Sequence, residues 1–269
     1  MTVDESTQTN GVPAKPEPQA GLLDKSEAKK KDWTVESVLS TIPTRYAENT
    51  TSPIPAFHIL ERLKTTKRAG WRRFGISHGE SISDHMYRMS ILTMLAPSSL
   101  SSRLNIPKCT KMALIHDMAE SLVGDITPLD PVSKSEKSRR EASTMDYICS
   151  TLLRNYNGGL NGKEMREIWQ EYEDGKTLES KFVHDIDKME LILQTVEYEQ
   201  AHGGEVDLGE FTWVATRIQL PEIKAWADDV FQERLRLWEG FGKKPKWGEN
   251  DETKPEYKRV AWLDGEEGQ

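Results

Sequence analysis

Apolar residues recur at intervals of three and four along most of the chain, and that spacing predicts helix after helix. Residues 33–42 form a first short segment. From residue 53 onward Phe57, Leu60 and Leu63 mark a second, with Pro53 and Pro55 suited to a first turn that needs no backbone donor. Ser81-x-x-Asp84 has the spacing of a capping box and precedes Met86, Met89, Ile91, Leu92 and Leu95, so a helix should open there with His85 in its first turn. Pro107 opens the next, whose apolar positions Met112, Ala113, Ile115 and Ala119 run past His116 and stop near Gly124. Ser133-x-x-Glu136 then predicts a long charged helix to about residue 156, followed by helices over 163–172, 178–200 and 221–238. Strand-like alternation is scarce, and no repeat of solenoid period occurs. The expected fold class is all-α.

The pattern fails at both ends. Residues 1–32 hold no aromatic side chain and end in Lys29-Lys30-Lys31, so they offer too little apolar surface to offset the entropy of ordering. A disordered N-terminal tail over 1–32, one domain over 33–240 and a polar C-terminal tail over 241–269 are therefore expected. Trp247 and Trp262 mark places where that second tail docks.

Composition narrows the class of function. With 36 Lys and Arg against 44 Asp and Glu, the net charge is -8, so a long electrostatic tract for polymeric nucleic acid is not expected. Two cysteines, Cys109 and Cys149, form no C-x-x-C pair, which argues against a disulfide scaffold or a thiolate zinc site. No apolar run approaches the roughly 20 residues that span a bilayer, and the start lacks a signal-peptide core. A soluble protein of the cytoplasm, with the nucleus as the alternative, is expected, and no membrane partner.

Two His-Asp doublets stand out, His116-Asp117 and His184-Asp185. The first has the richer surroundings. Glu120 lies four residues after His116, the small Ala113 three before it, and Asp125 just beyond Gly124. Asp187 sits on the apolar stripe between Val183 and Leu191, where an ionised carboxylate needs a partner or a metal. Asp185 has Lys181 and Lys188 as neighbours and needs no such account. His85, His116, Asp117 and Asp187 make a mixed nitrogen and oxygen set for one divalent ion, with manganese, cobalt or iron favoured and zinc or magnesium compatible. Such an ion with open positions suits hydrolysis, with Glu120 placed to orient or deprotonate a water. His58, His78, His184 and His202 are read as structural.

The strings Glu80-Ser-Ile-Ser-Asp-His85-Met-Tyr-Arg-Met-Ser90, Ala113-Leu-Ile-His-Asp-Met-Ala-Glu120-Ser-Leu-Val-Gly-Asp125 and Lys181-Phe-Val-His-Asp-Ile-Asp187-Lys-Met-Glu-Leu-Ile-Leu-Gln194 closely resemble the HD-domain metal-dependent phosphohydrolases, within them the 5′-deoxynucleotidase branch. The resemblance runs from about His58 to Tyr198. It implies an all-α HD fold, a homodimer, His85, His116, Asp117 and Asp187 as ligands of one divalent metal, and Glu120 as the catalytic carboxylate. Asp125 would be a second acid near phosphate and sugar, able to protonate the leaving 5′-oxygen. The implied substrates are deoxyribonucleoside 5′-monophosphates. In the loop Lys67-Arg68-Ala69-Gly70-Trp71-Arg72-Arg73, Arg68 first and Arg72 second are the expected phosphate cations, and Trp71 the residue that excludes a ribose 2′-hydroxyl. Two other readings stay open: another HD chemistry, such as triphosphohydrolysis or cyclic-nucleotide cleavage, and a non-catalytic nucleotide- or metal-binding module.

Overall fold

The computed structural model describes residues 32–248, so residues 1–31 of the tail expected over 1–32, residues 249–269 and Trp262 lie outside the described residues. Among the described residues every regular element is helical, and the β-contact is an isolated antiparallel bridge between Lys67 and Ser81. The helices are α1 (Val35–Leu39), α2 (Ile54–Thr65), α3 (Ile82–Met94), α4 (Ser98–Ser101), α5 (Ile106–Ile115), α6 (Glu120–Val123), α7 (Lys134–Tyr147), α8 (Leu160–Asp174), α9 (Leu178–Ala201) and α10 (Pro221–Gly240). No helix among them is long and apolar enough to cross a membrane.

Local polar caps set several starts. Ser81 accepts the Asp84 N–H at 3.1 Å and Asp84 returns by accepting the Ser81 N–H at 2.7 Å, so both halves of the box that opens α3 are formed. Ser133 caps α7 by accepting the Glu136 N–H at 3.2 Å, yet the Glu136 carboxylate pairs with Arg139 and Arg140 instead of completing the box. Helix α7 also stops at Tyr147, short of the expected 156, and passes into a π-turn over Ile148–Leu152. The loop expected over 68–79 contains a 3-10 turn, Gly70–Phe74.

Helix α9 forms the centre of the core and packs on α3, α5, α8 and α10. Its buried side chains Phe182, Val183, Ile186, Met189, Ile192 and Val196 meet Ile82, Met86 and Met89 of α3 and Cys109, Met112 and Ala113 of α5. Full burial of one such large side chain is worth about 1.5–3 kcal/mol. This layer, rather than surface ion pairs, holds the frame that carries the site.

One expectation changes here. Asp185 is fully buried, at 0% exposure, and its Oδ2 accepts the N–H groups of Gln219 at 2.9 Å and Leu220 at 2.8 Å. It ties α9 to the start of α10, where α10 has no side-chain cap of its own. The nearby lysine that sequence offered as its partner, Lys188, is secondary, with Nζ 3.7 Å away. The chain also packs past residue 240, in the segment where Trp247 was expected to dock. Arg234 donates to the Lys246 carbonyl at 2.7 Å, the Gly248 N–H donates to Thr212 Oγ1 at 3.0 Å, and the Trp247 ring meets Phe231 edge-on at 5.3 Å.

Candidate metal centre

The continuous helix expected over 107–124 is broken at the His-Asp doublet. Helix α5 ends at Ile115, residues 116–119 form turns, and α6 begins at Glu120. His116 brings about the change of partner: its Nδ1 donates to the Ala113 carbonyl at 2.9 Å, and its own carbonyl accepts the Trp169 indole N–H at 3.1 Å. With those groups satisfied, the chain leaves the helix without stranding buried backbone. Gly124 then adopts φ 78°, a value that favours glycine, and turns Asp125 back so that its carboxylate accepts the Ala69 N–H.

Three elements converge on one point. His85 from α3, His116 and Asp117 from the break, and Asp187 from α9 bring together the four residues expected to hold a metal. His85 Nε2 lies 3.2 Å from Asp187 Oδ1 and 3.9 Å from Asp117 Oδ2, and His116 Nε2 lies 3.2 Å from Asp117 Oδ2. One donor atom each from His85, His116 and Asp187 falls within a common 4.8 Å. The decisive observation is what these atoms lack: His85 Nε2, His116 Nε2 and Glu120 Oε2 are buried with no hydrogen-bond partner. Buried polar atoms are normally paired, and these three face the same cluster of carboxylates. Two imidazole nitrogens with two carboxylates fit a divalent ion of intermediate softness.

The tautomers suit the same purpose. His85 Nδ1 is 2.6 Å from Glu190 Oε2, and His116 Nδ1 is committed to a carbonyl, so in the neutral rings both Nε2 lone pairs face the centre. Glu190 is itself fully buried and held by Arg88 Nε at 2.8 Å. Sequence reasoning passed over Glu190, yet the signal that found Asp187 was present, since Glu190 lies one turn further on the same buried stripe.

The fields are strong. Burial and the Arg68 cation oppose charge on His85, but Glu190 and Asp187 outweigh them and raise its pKa to about 10. Burial works against the charged forms of Asp187 and Asp117, and the two histidines and Arg68 nevertheless hold both below the ordinary carboxylate range. Glu120 goes the other way: burial, then Asp117 and Asp125, push it well above that range, which makes it a stronger proton acceptor.

A cavity of about 310 Å³ shares Arg68 with this point and is lined by Arg68, Asp125 and Lys137 together with Trp71, Phe211 and Trp213. Arg68 lies over the cluster with NH1 3.4 Å from Asp117 Oδ2. The Lys67 to Ser81 bridge, with the Arg68 N–H donating to the Glu80 carbonyl at 3.1 Å, pins that loop to the start of α3. Arg72, the second expected phosphate cation, is exposed and does not line the cavity. Trp71 lines it while 99% of its surface is covered: it is 1% exposed, packs on Tyr198 and Phe211, and donates its indole N–H to Glu80 Oε1 at 3.0 Å. The second doublet is structural as expected for His184, whose ring stacks on Tyr172 at 4.0 Å and bonds the Tyr172 carbonyl through Nε2.

Residues 60–226 match the family described as HD domain. Over 194 residues, 71% of this chain and 95% of the relative, the sequence is 50% identical to 5′-deoxynucleotidase hdd1 of Schizosaccharomyces pombe. It is 41% identical to 5′-deoxynucleotidase YBR242W of Saccharomyces cerevisiae over 212 residues, 77% of this chain and 86% of the relative. Among solved structures, HD domain-containing protein YGK1 superposes with a TM-score of 0.56 at 31% identity, covering 77% of this chain and 96% of that one. With its all-helical fold, its His-Asp break and these matches, the chain belongs to the HD domain family.

Proposed function

We propose that this protein is a metal-dependent 5′-deoxynucleotidase that hydrolyses deoxyribonucleoside 5′-monophosphates to deoxynucleoside and phosphate. The observation that carries the reading is the pair of buried imidazole nitrogens without a hydrogen bond, His85 Nε2 and His116 Nε2, beside a cavity that Arg68 and Lys137 line. The names of the similar fungal proteins support the substrate class. In this reading His85, His116, Asp117 and Asp187 hold one divalent ion, with manganese, cobalt or iron best suited to the mixed donor set. Bound there, the ion supplies charge that acidifies a water and neutralises phosphoryl oxygens.

The chain's own residues do the rest. Glu120, with a free buried oxygen and raised basicity, takes the proton of the attacking water. Arg68 binds the phosphate, and Asp125, held by the Ala69 N–H, gives a proton to the departing 5′-oxygen. Trp71, fixed by Glu80, forms a rigid wall of the cavity where the sugar would lie, and a rigid wall can discriminate against an added hydroxyl. The exposed apolar stripe of α3, Tyr87, Ile91 and Met94, continued by Leu95 just past its end, supports a homodimer. Two buried free cysteines, Cys109 and Cys149, suit the cytoplasm.

Purified protein incubated with deoxy- and ribonucleoside 5′-monophosphates plus manganese or cobalt should release phosphate from the deoxy series. No metal-dependent release from any deoxynucleotide would sink the reading, and a triphosphate or linear monophosphate product would replace it with another phosphohydrolase chemistry.

A further inference from the structure

Lys137 is a basic side chain that neither the metal cluster nor the Arg68 loop accounts for. It stands on α7, in an element separate from the rest of the site, and lines the same cavity as Arg68 and Asp125. Among the described residues Glu141 is the one carboxylate within ion-pair distance of it, at 3.4 Å. That pair does little for the helix, because a lysine four residues before a glutamate is the weaker of the two orientations. Burial opposes the charge of Lys137, but Glu141, Glu120, Asp117 and Asp125 more than restore it. It is therefore a cation at neutral pH.

The substrate creates a need for such a cation. A phosphate monoester carries roughly -1.5 to -2 charge near neutral pH, and here it must approach Asp117, Glu120, Asp125 and Asp187. Arg68 is already engaged, with NH1 3.4 Å from Asp117 Oδ2. A lysine ammonium serves as a point charge for phosphate oxygens and needs no fixed fork geometry. We propose that Lys137 is a second phosphate-binding cation, gripping the non-bridging oxygens together with Arg68 while Glu141 steadies its ammonium at the cavity wall. This rests on the monophosphatase reading above and adds a residue to it. The Glu141 carboxylate is a positioning group, since it acts on the phosphate only through Lys137.

The test compares the full-length, metal-loaded protein with Lys137→Gln, Lys137→Arg and Glu141→Gln, reading inorganic phosphate binding by calorimetry and turnover of a deoxynucleoside monophosphate. Lys137→Gln should weaken phosphate binding about 10- to 100-fold and raise KM by a similar factor. Metal content, thermal midpoint and inhibition by the uncharged deoxynucleoside should stay as in the parent. Lys137→Arg should recover most of the phosphate affinity, and Glu141→Gln should lose a smaller part of it. Unchanged phosphate affinity in Lys137→Gln, equal loss of phosphate and deoxynucleoside binding, or no phosphate binding by the parent protein overturns the proposal. Phosphate held through Lys137 without release from any deoxynucleotide would instead defeat the monophosphatase reading and leave the lysine's role standing.

Discussion

Two buried polar clusters sit on helix α9 about three turns apart, and they are built by opposite rules. Around Glu199, both carboxylate oxygens are filled: Arg234 donates through Nε and NH2 at 2.8 Å each, Trp238 Nε1 at 2.8 Å and the Leu208 N–H at 2.8 Å. Around Asp187, neither imidazole Nε2 nor the Glu120 Oε2 is hydrogen-bonded, although carboxylate oxygens of Asp187 and Asp117 stand 3.2 Å from the two nitrogens. His85, His116 and Glu120 are as buried as Glu199 and Arg234, while Asp117 and Asp187 keep part of their surface exposed. The difference is one of satisfaction, not of composition, and it separates a cluster that locks the fold from one whose donor atoms fit a metal ion.

Breaking each cluster should therefore give opposite phenotypes. The largest effect is expected for Glu120→Gln, which should lower kcat by about 10² to 10⁴ and leave the unfolding midpoint at or above that of the parent, because it removes a buried carboxylate with a free oxygen. Phosphate release and a thermal melt on one sample check both halves, and unchanged turnover would reject the catalytic role. Glu199→Ala should do the reverse. It takes the two-pronged carboxylate from the buried Arg234 cation, leaving it Asp207 at 3.2 Å and the Lys246 carbonyl, and should cost about 3–5 kcal/mol in a denaturant titration, with KM and metal stoichiometry preserved in the folded fraction.

A subtler substitution sharpens the boundary between the two rules. Glu190 is satisfied, by Arg88 and by His85 Nδ1, yet it belongs to the ligand-seeking cluster because it fixes which nitrogen of His85 faces inward. Glu190→Gln should weaken metal binding about 10- to 100-fold with a smaller effect on stability than Glu199→Ala. Equal losses of stability in the two variants would erase the distinction.

The smallest effect is a pH signature of the metal-free protein. His85 has its pKa raised from 6.5 to about 10, so the stability it contributes is complete below 6.5 and is lost as pH rises toward about 10. Thermal midpoints of metal-free protein should fall across that window, whereas those of metal-loaded protein should not follow, because metal takes the place of the His85 Nε2 proton. Parallel curves for the two forms would contradict the assignment of His85.

Much of this was readable in the chain because helical periodicity is a local signal. The span of α9, the box at Ser81 and Asp84, and the apolar neighbours of Asp187 all follow from spacings of three and four. What escaped was non-local. The break after Ile115 lies in a stretch with good helix formers on both sides, and its cause is a bond from Trp169, 53 residues away. Asp185 was given its flanking lysines as neighbours because they are near in sequence, while its closer partners, the Gln219 and Leu220 N–H groups, are 34 and 35 residues on. The same limit hid Lys137, whose relation to Arg68 exists only once α7 and the Arg68 loop meet at one cavity. Arg72 shows the converse, since adjacency in sequence to Trp71 did not bring it into that cavity.

The contrast between satisfied and unsatisfied clusters is tested most directly by anomalous diffraction from a manganese-soaked crystal of the full-length protein. One strong peak per chain is expected, bonded to His85 Nε2 and His116 Nε2 and to the carboxylates of Asp117 and Asp187, with none at the Glu199 and Arg234 cluster. A crystal with manganese bound elsewhere and both imidazole nitrogens still bare would contradict it.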